Sequence, residues 1–182
     1  MEFLKKAIGF VVGFVVVYGA IHLIRGGDKL QAFETYRSEE GRFTVLLPGE
    51  PARSTQTLNT PAGKIDLVMF QAGSKKSGFV VGYCDYPQEV IDESEPAKML
   101  DGARDGAVKN VGGELIDETE LDFHGYAARE VEIEIPGKAT IRTRLILIDN
   151  RLYQIMVVSP SAEVLEEKGT EFFDSFSVDG AG

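Results

Sequence analysis

Residues 128–148 read AREVEIEIPGKATIRTRLILI. Before Pro136-Gly137-Lys138, Val131, Ile133 and Ile135 alternate with Glu130, Glu132 and Glu134. After it, Ile141, Thr143 and Leu145 alternate with Thr140, Arg142 and Arg144. A period of two belongs to a strand with one face buried, and the Pro-Gly pair marks a turn. A three-residue loop sets Ile135 opposite Ala139. Counting away from the turn, Ile133 then meets Ile141, Glu132 meets Arg142 and Glu130 meets Arg144. Apolar groups and opposite charges each find their complement across the pair. A slip of one residue would mix the two faces, so the stretch predicts an antiparallel hairpin of fixed register.

The same signal extends in both directions. Arg42–Leu47 ends at Pro48-Gly49. Pro51–Leu58 and Lys64–Gln71 flank Thr60-Pro61-Ala62-Gly63, a hairpin turn. Ser77–Tyr86 is a near-continuous apolar strand closed by Pro87, and Glu114–Leu121 and Arg151–Val158 are further strands. Asp149-Asn150 makes a tight turn. The period changes in two places only. Pro96, Leu100, Ala103, Ala107 and Val111 recur at helical spacing, with Ser94 as the expected cap and Gly112-Gly113 as the stop. Ser161–Phe173 is a second helix capped by Ser161. Phe176 and Val178 fit a short final strand or coil, and Gly26–Glu34 reads as a linker or frayed helix end. Strands, helix, strands, helix is an α+β order with a mostly antiparallel sheet. Phe79–Tyr83 and Leu145–Ile148 are apolar on both faces, which calls for helices on both sides of the sheet, an α/β/α sandwich. Residues 31–182 form one such domain.

Residues 1–30 are different. Ala7–Ile24, AIGFVVGFVVVYGAIHLI, is 18 residues without a charge. As a helix it would span roughly 27 Å, enough for a bilayer core. Lys5 and Lys6 precede it and Arg25 and Lys29 follow. A cleaved signal would have a shorter apolar run and a small-x-small site at its end; here the best cut, after Gly19, falls inside the run. The expectation is one uncleaved N-terminal transmembrane helix that contacts the lipid bilayer. Two lysines and the free amine outweigh the two bases beyond the helix, which favours a single-pass cell-membrane protein with an extracytoplasmic domain.

Charge divides the chain at the same place. Residues 1–30 hold two acids and four bases; the remainder holds 27 acids and 15 bases. So acidic a domain repels phosphate backbones, and nucleic acid is not an expected partner. One cysteine, Cys84, permits neither an internal disulfide nor a cysteine-based zinc site.

Three motifs resemble a known family. Gly41–Pro51, GRFTVLLPGEP, resembles the opening of PsbP-like domains. Arg151–Pro160, RLYQIMVVSP, is similar to their strand before the last helix, and Glu171–Val178, EFFDSFSV, to their close. The resemblance covers residues 36–178 and implies a central antiparallel sheet with helices on both faces. Within that superfamily it implies accessory and binding roles: support of the oxygen-evolving complex, binding of the small GTPase Ran, lipid binding by bacterial lipoproteins. The nearest likeness is to bacterial proteins with one anchor and one such domain. Counterparts of the metal-linked histidines of the plant proteins are not recognisable.

Candidate chemistry is sparse. His124, in Phe123-His124-Gly125, has no specified partner and fits a surface turn. Cys84 lies in an apolar strand beside Asp85, the wrong setting for a nucleophile, and fits a small core residue. Asp101 and Asp105 share a helix face, but two carboxylates are too few for a cation and Arg104 stands beside them. Glu114, Asp117, Glu118, Glu120 and Asp122 lack calcium-loop spacing and fit a solvated strand edge. Gly102–Gly106 falls within a helix and cannot cradle phosphate. The sequence therefore leads to no catalytic residues, no metal site and no cofactor. It leads to a non-catalytic, membrane-anchored binding or accessory domain whose partner is a protein or a lipid-like molecule. The alternatives are an enzyme whose site assembles from scattered acids such as Asp85 and Asp105, and a structural module of an envelope complex.

Overall fold

A computed structural model describes residues 27–60 and 63–180. The anchor expected at Ala7–Ile24 and the turn residues Pro61 and Ala62 lie outside the described residues. Among the described residues no helix is long and apolar enough to cross a membrane.

The hairpin that governs the sequence pattern is built as expected. Strands β7 (Tyr126–Ile135) and β8 (Ala139–Ile148) pair antiparallel, with Ile135 opposite Ala139, Ile133 opposite Ile141, Glu132 opposite Arg142 and Glu130 opposite Arg144. They belong to a seven-stranded sheet with β3 (Ala52–Thr60), β4 (Gly63–Gly73), β5 (Gly78–Asp85), β6 (Glu114–Phe123) and β9 (Arg151–Ser159). Its order is β3-β4-β5-β9-β8-β7-β6, and every neighbouring pair is antiparallel. A second sheet has β2 (Phe43–Pro48) between β1 (Phe33–Ser38) and β10 (Ser177–Val178). Three helices complete the described chain: α1 (Gln88–Asp92), α2 (Pro96–Val111) and α3 (Gly169–Asp174). A π-helical turn, Val164–Lys168, leads directly into α3.

Alternation along the central strands splits the core into two layers. On one face Val80, Cys84, Val131, Ile133, Ile141, Leu145, Leu152 and Met156 pack under Val90 of α1 and Met99, Leu100, Ala103 and Ala107 of α2. On the other, Phe70, Phe79, Val81, Ile146, Tyr153, Ile155 and Val157 pack against Leu165, Phe172 and Phe173 and against Phe43, Val45 and Leu47 of the small sheet. Both faces thus carry helix, and the second face shares its cover with a sheet. Each fully buried aliphatic or aromatic side chain contributes about 2 kcal/mol of transfer free energy.

Four local readings change. β1 begins within the stretch expected to be a linker, because Phe33 stacks edge-to-face on Phe79 at 5.2 Å. The short helix α1 follows Pro87, where only a strand end was expected. Ser94 does not cap α2. Pro96 at the first turn holds the preceding residue extended, so Glu95 takes the cap position at φ −86°, ψ 129°, with no side-chain cap bond. The last helix is capped as expected, the Val164 amide donating to Ser161 Oγ at 3.3 Å. It widens, however, into the π turn. There Arg142 Nη1 donates to the Leu165 carbonyl at 2.9 Å, and Gly169 lets the helix settle on Val157, whose Cγ1 would lie 3.1 Å from an added Cβ.

Candidate functional site

The acids singled out in the sequence are gathered by arginines. The β6–β7 register shifts between Leu115 and Asp117, a β-bulge with Ile116 as the extra residue. Leu115 pairs with Ile133 and Glu118 with Val131, both partners lying on the α2 face. Were Ile116 paired in a regular ladder, alternation would bring Asp117, Thr119 and Leu121 to that face. The bulge brings Glu118 and Glu120 instead, beneath the rim of α2.

Arg104 of α2 reaches Glu118 Oε2 at 2.6 Å and Asp105 Oδ1 at 2.9 Å. Arg129 of β7, buried, reaches Asp101 Oδ1 at 2.5 Å, binds Glu118 as well, and lies 3.5 Å from both Glu120 Oε1 and the Ala97 carbonyl. Burial pushes the Glu118 carboxyl up, but hydrogen bonds from Arg129 and Arg104 outweigh it and leave the group below the ordinary carboxylate range. A carboxylate held in its ionised form by two guanidiniums is an anchor between helix and sheet. It is poorly suited to accept a proton at neutral pH.

On the opposite face Glu130 receives Arg142 at 2.7 Å and Arg144 at 2.6 Å, and both guanidiniums lie over the Phe173 ring, at 5.5 and 4.9 Å. Burial again raises the carboxyl and the two arginines again bring it below its usual value. At the end of β9, Arg151 binds both oxygens of Asp85 at 2.6 and 2.7 Å and lies 4.2 Å above the Tyr83 ring. It also donates to the Glu40 and Gly41 carbonyls, and the Tyr153 hydroxyl donates to the Gly41 carbonyl at 2.8 Å.

The remaining candidates are spread over the domain. Asp85 and Asp105 do not meet. Asp85 is bound to Arg151 at the small-sheet side, whereas Asp105 is bound to Arg104 on α2, across the sheet. Cys84 is fully buried in the α2 layer, and burial pushes its thiol up to about 12. His124 is exposed in the β6–β7 turn, where it and Gly125 both adopt positive φ. Gly102–Gly106 lies within α2. Among the described residues no group of three or more His, Cys, Asp or Glu is placed to hold a metal ion.

Other polar groups escaped sequence reading. Gln154 in β9 and Thr143 in β8 are each 1% exposed, and Gln154 Nε2, Gln154 Oε1 and Thr143 Oγ1 have no hydrogen-bond partner. A lone glutamine inside the apolar run RLYQIMVVS was the available signal.

The described residues have a PsbP-like fold. The chain is similar in structure to cyanobacterial PsbP (CyanoP) from Synechocystis sp. PCC 6803, with a TM-score of 0.58 over 84% of this chain and 96% of that one. Sequence identity is 13%, so this likeness shows the fold alone. A Pseudomonas aeruginosa protein of unknown function matches at a TM-score of 0.41 and 16% identity, over 76% of this chain and 90% of that one. No protein-family model and no curated protein sequence matches.

Proposed function

We propose that this chain is a non-catalytic accessory domain, held at the cell membrane by its N-terminal apolar segment, that docks a basic, extended segment of a protein partner along β6. One observation carries this reading. β6 is a terminal strand of the large sheet, and its bulge exposes Leu115 (44%) and Ile116 (52%). Both stand out because large apolar side chains are otherwise covered through most of the described domain. Exposed acids accompany them along the strand: Glu114 and Asp117 beside the pair, Glu120 and Asp122 further on. An apolar pair in an acidic setting on a sheet edge fits a strand-adding segment with alternating apolar and basic residues. The same patch suits a module of an envelope complex, so accessory and structural roles converge on it.

The test is site-specific photocrosslinking in the full-length membrane protein. A crosslinker at position 116 should label one partner, labelling should weaken as salt rises, and Asp117→Lys should abolish it. A crosslinker at Thr57, on the other terminal strand, should not label that partner. Equal labelling from both strands, or labelling from 116 indifferent to salt and to Asp117→Lys, would remove the proposal. A reporter fused after Gly182 tests the extracytoplasmic placement.

A further inference from the structure

The α2 layer of the core contains polar atoms with nothing to bond. Strand alternation puts Gln154, between Leu152 and Met156, on that face, and likewise Thr143, between Ile141 and Leu145. Gln154 pairs with Leu145 and Met156 with Thr143, so the two polar side chains are diagonal neighbours on adjacent strands. Both are almost wholly inaccessible, yet the Gln154 amide and the Thr143 hydroxyl are unpartnered. Asn110 joins them. It follows Ala103 and Ala107 on the sheet-facing side of α2, and its Nδ2 is buried without a partner. Small residues line the same layer. Gly82 lies directly across from Gln154 on β5, and Gly106 is buried on α2.

A buried amide left unbonded is costly, and native cores almost always satisfy such groups. Gln154 presents two donor hydrogens and an acceptor oxygen, and Thr143 can donate or accept. The nearest charge in register, Arg129 across from Leu145, is already bound to Asp101 and Glu118. From this we infer that the space between α2 and strands β5, β8 and β9 holds a small neutral guest able both to donate and to accept hydrogen bonds. Ordered water meets that description, and so does the hydroxyl or amide end of a small amphiphile whose apolar part lies among Leu145, Met156 and Leu100. Gln154 is the principal recognition residue and Thr143 the second.

The experiment uses the full chain purified in detergent. High-resolution density or water cross-relaxation should place an ordered guest within hydrogen-bond reach of Gln154. Native mass spectrometry separates the sources: an excess mass of small-molecule size identifies an amphiphile, and the bare chain mass with an ordered guest identifies water. Gln154→Met and Thr143→Val supply a second readout. If a guest is bound, each variant loses its bonds and lowers Tm by about 3 °C. If the atoms are truly unbonded, each variant removes a desolvation cost and raises Tm. An empty interior in the density, or a rise in Tm in both variants, overturns the inference. Neither result touches the β6 docking proposal.

Discussion

The two faces of the large sheet are built on different chemistry. The face under the small sheet and α3 is aromatic. Phe79 meets Phe33 and Phe172 edge-to-face at 5.2 and 5.4 Å, and Phe43 meets Phe70 at 5.4 Å. Its buried polar groups are bonded: Ser77 to Ser159 at 2.8 Å, Arg142 to the Leu165 carbonyl and Tyr153 to that of Gly41. The α2 face is aliphatic, rich in Met, Ala and Gly, and leaves Gln154 and Thr143 unbonded. Ring-on-ring geometry and satisfied polar groups specify one packing. Flexible methionines and small residues tolerate several. The first face is the rigid frame of the molecule; the second is where it can accommodate something.

The strongest challenge to this contrast is truncation on each side. Phe172→Ala should destabilise by about 4 kcal/mol, and Leu100→Ala under α2 by about 3 kcal/mol because the looser layer collapses further. Urea unfolding measures both, and a larger loss at Leu100 would break the contrast. Arg151→Lys should cost about 2 kcal/mol, since lysine keeps the charge but not the two-pronged bond to Asp85 or the stack on Tyr83. Acid sharpens the comparison next. Glu118 and Glu130 have lowered folded values, so their contribution is fully present above the ordinary glutamate range and is lost as pH falls through the folded values. Glu118→Gln and Glu130→Gln should each flatten the fall of stability with acid in a pH series of unfolding curves. The smallest effect belongs to deletion of Ile116. The bulge absorbs it: Leu115 and Glu118 keep their faces, and stability should change by less than about 1 kcal/mol while docking at β6 is lost.

Most of the frame was legible in the sequence, for a physical reason. Alternating Glu and Arg around a Pro-Gly turn permit only one register, so β7 and β8 could be aligned residue by residue. What escaped depends on contacts distant in sequence. β1, FETYRS, is largely exposed and has no alternation of its own; Phe79, far along the chain, makes it a strand. Glu130 takes both Arg142 and Arg144, because long side chains reach diagonally as well as straight across. The acids of β6 looked like a solvated edge, and only the bulge at Ile116 turns Glu118 toward Arg104 and Arg129. Unbonded Gln154 was visible merely as a polar letter in an apolar run.

β2 is flanked by β1 on one side and β10 on the other, so the first and last strands of the domain lie against the same short strand. A pull on the N-terminal segment first meets the contacts of Gly27 and Asp28 with Lys75, in the β4–β5 turn, and then loads the small sheet before the body of the large one. The load crosses between sheets where Arg151 and Tyr153 grip the Gly41 turn, and peeling β1 from β2 breaks its hydrogen bonds one after another. The domain has a weak link in series at its N-terminal end, able to give way while the seven-stranded sheet stays whole.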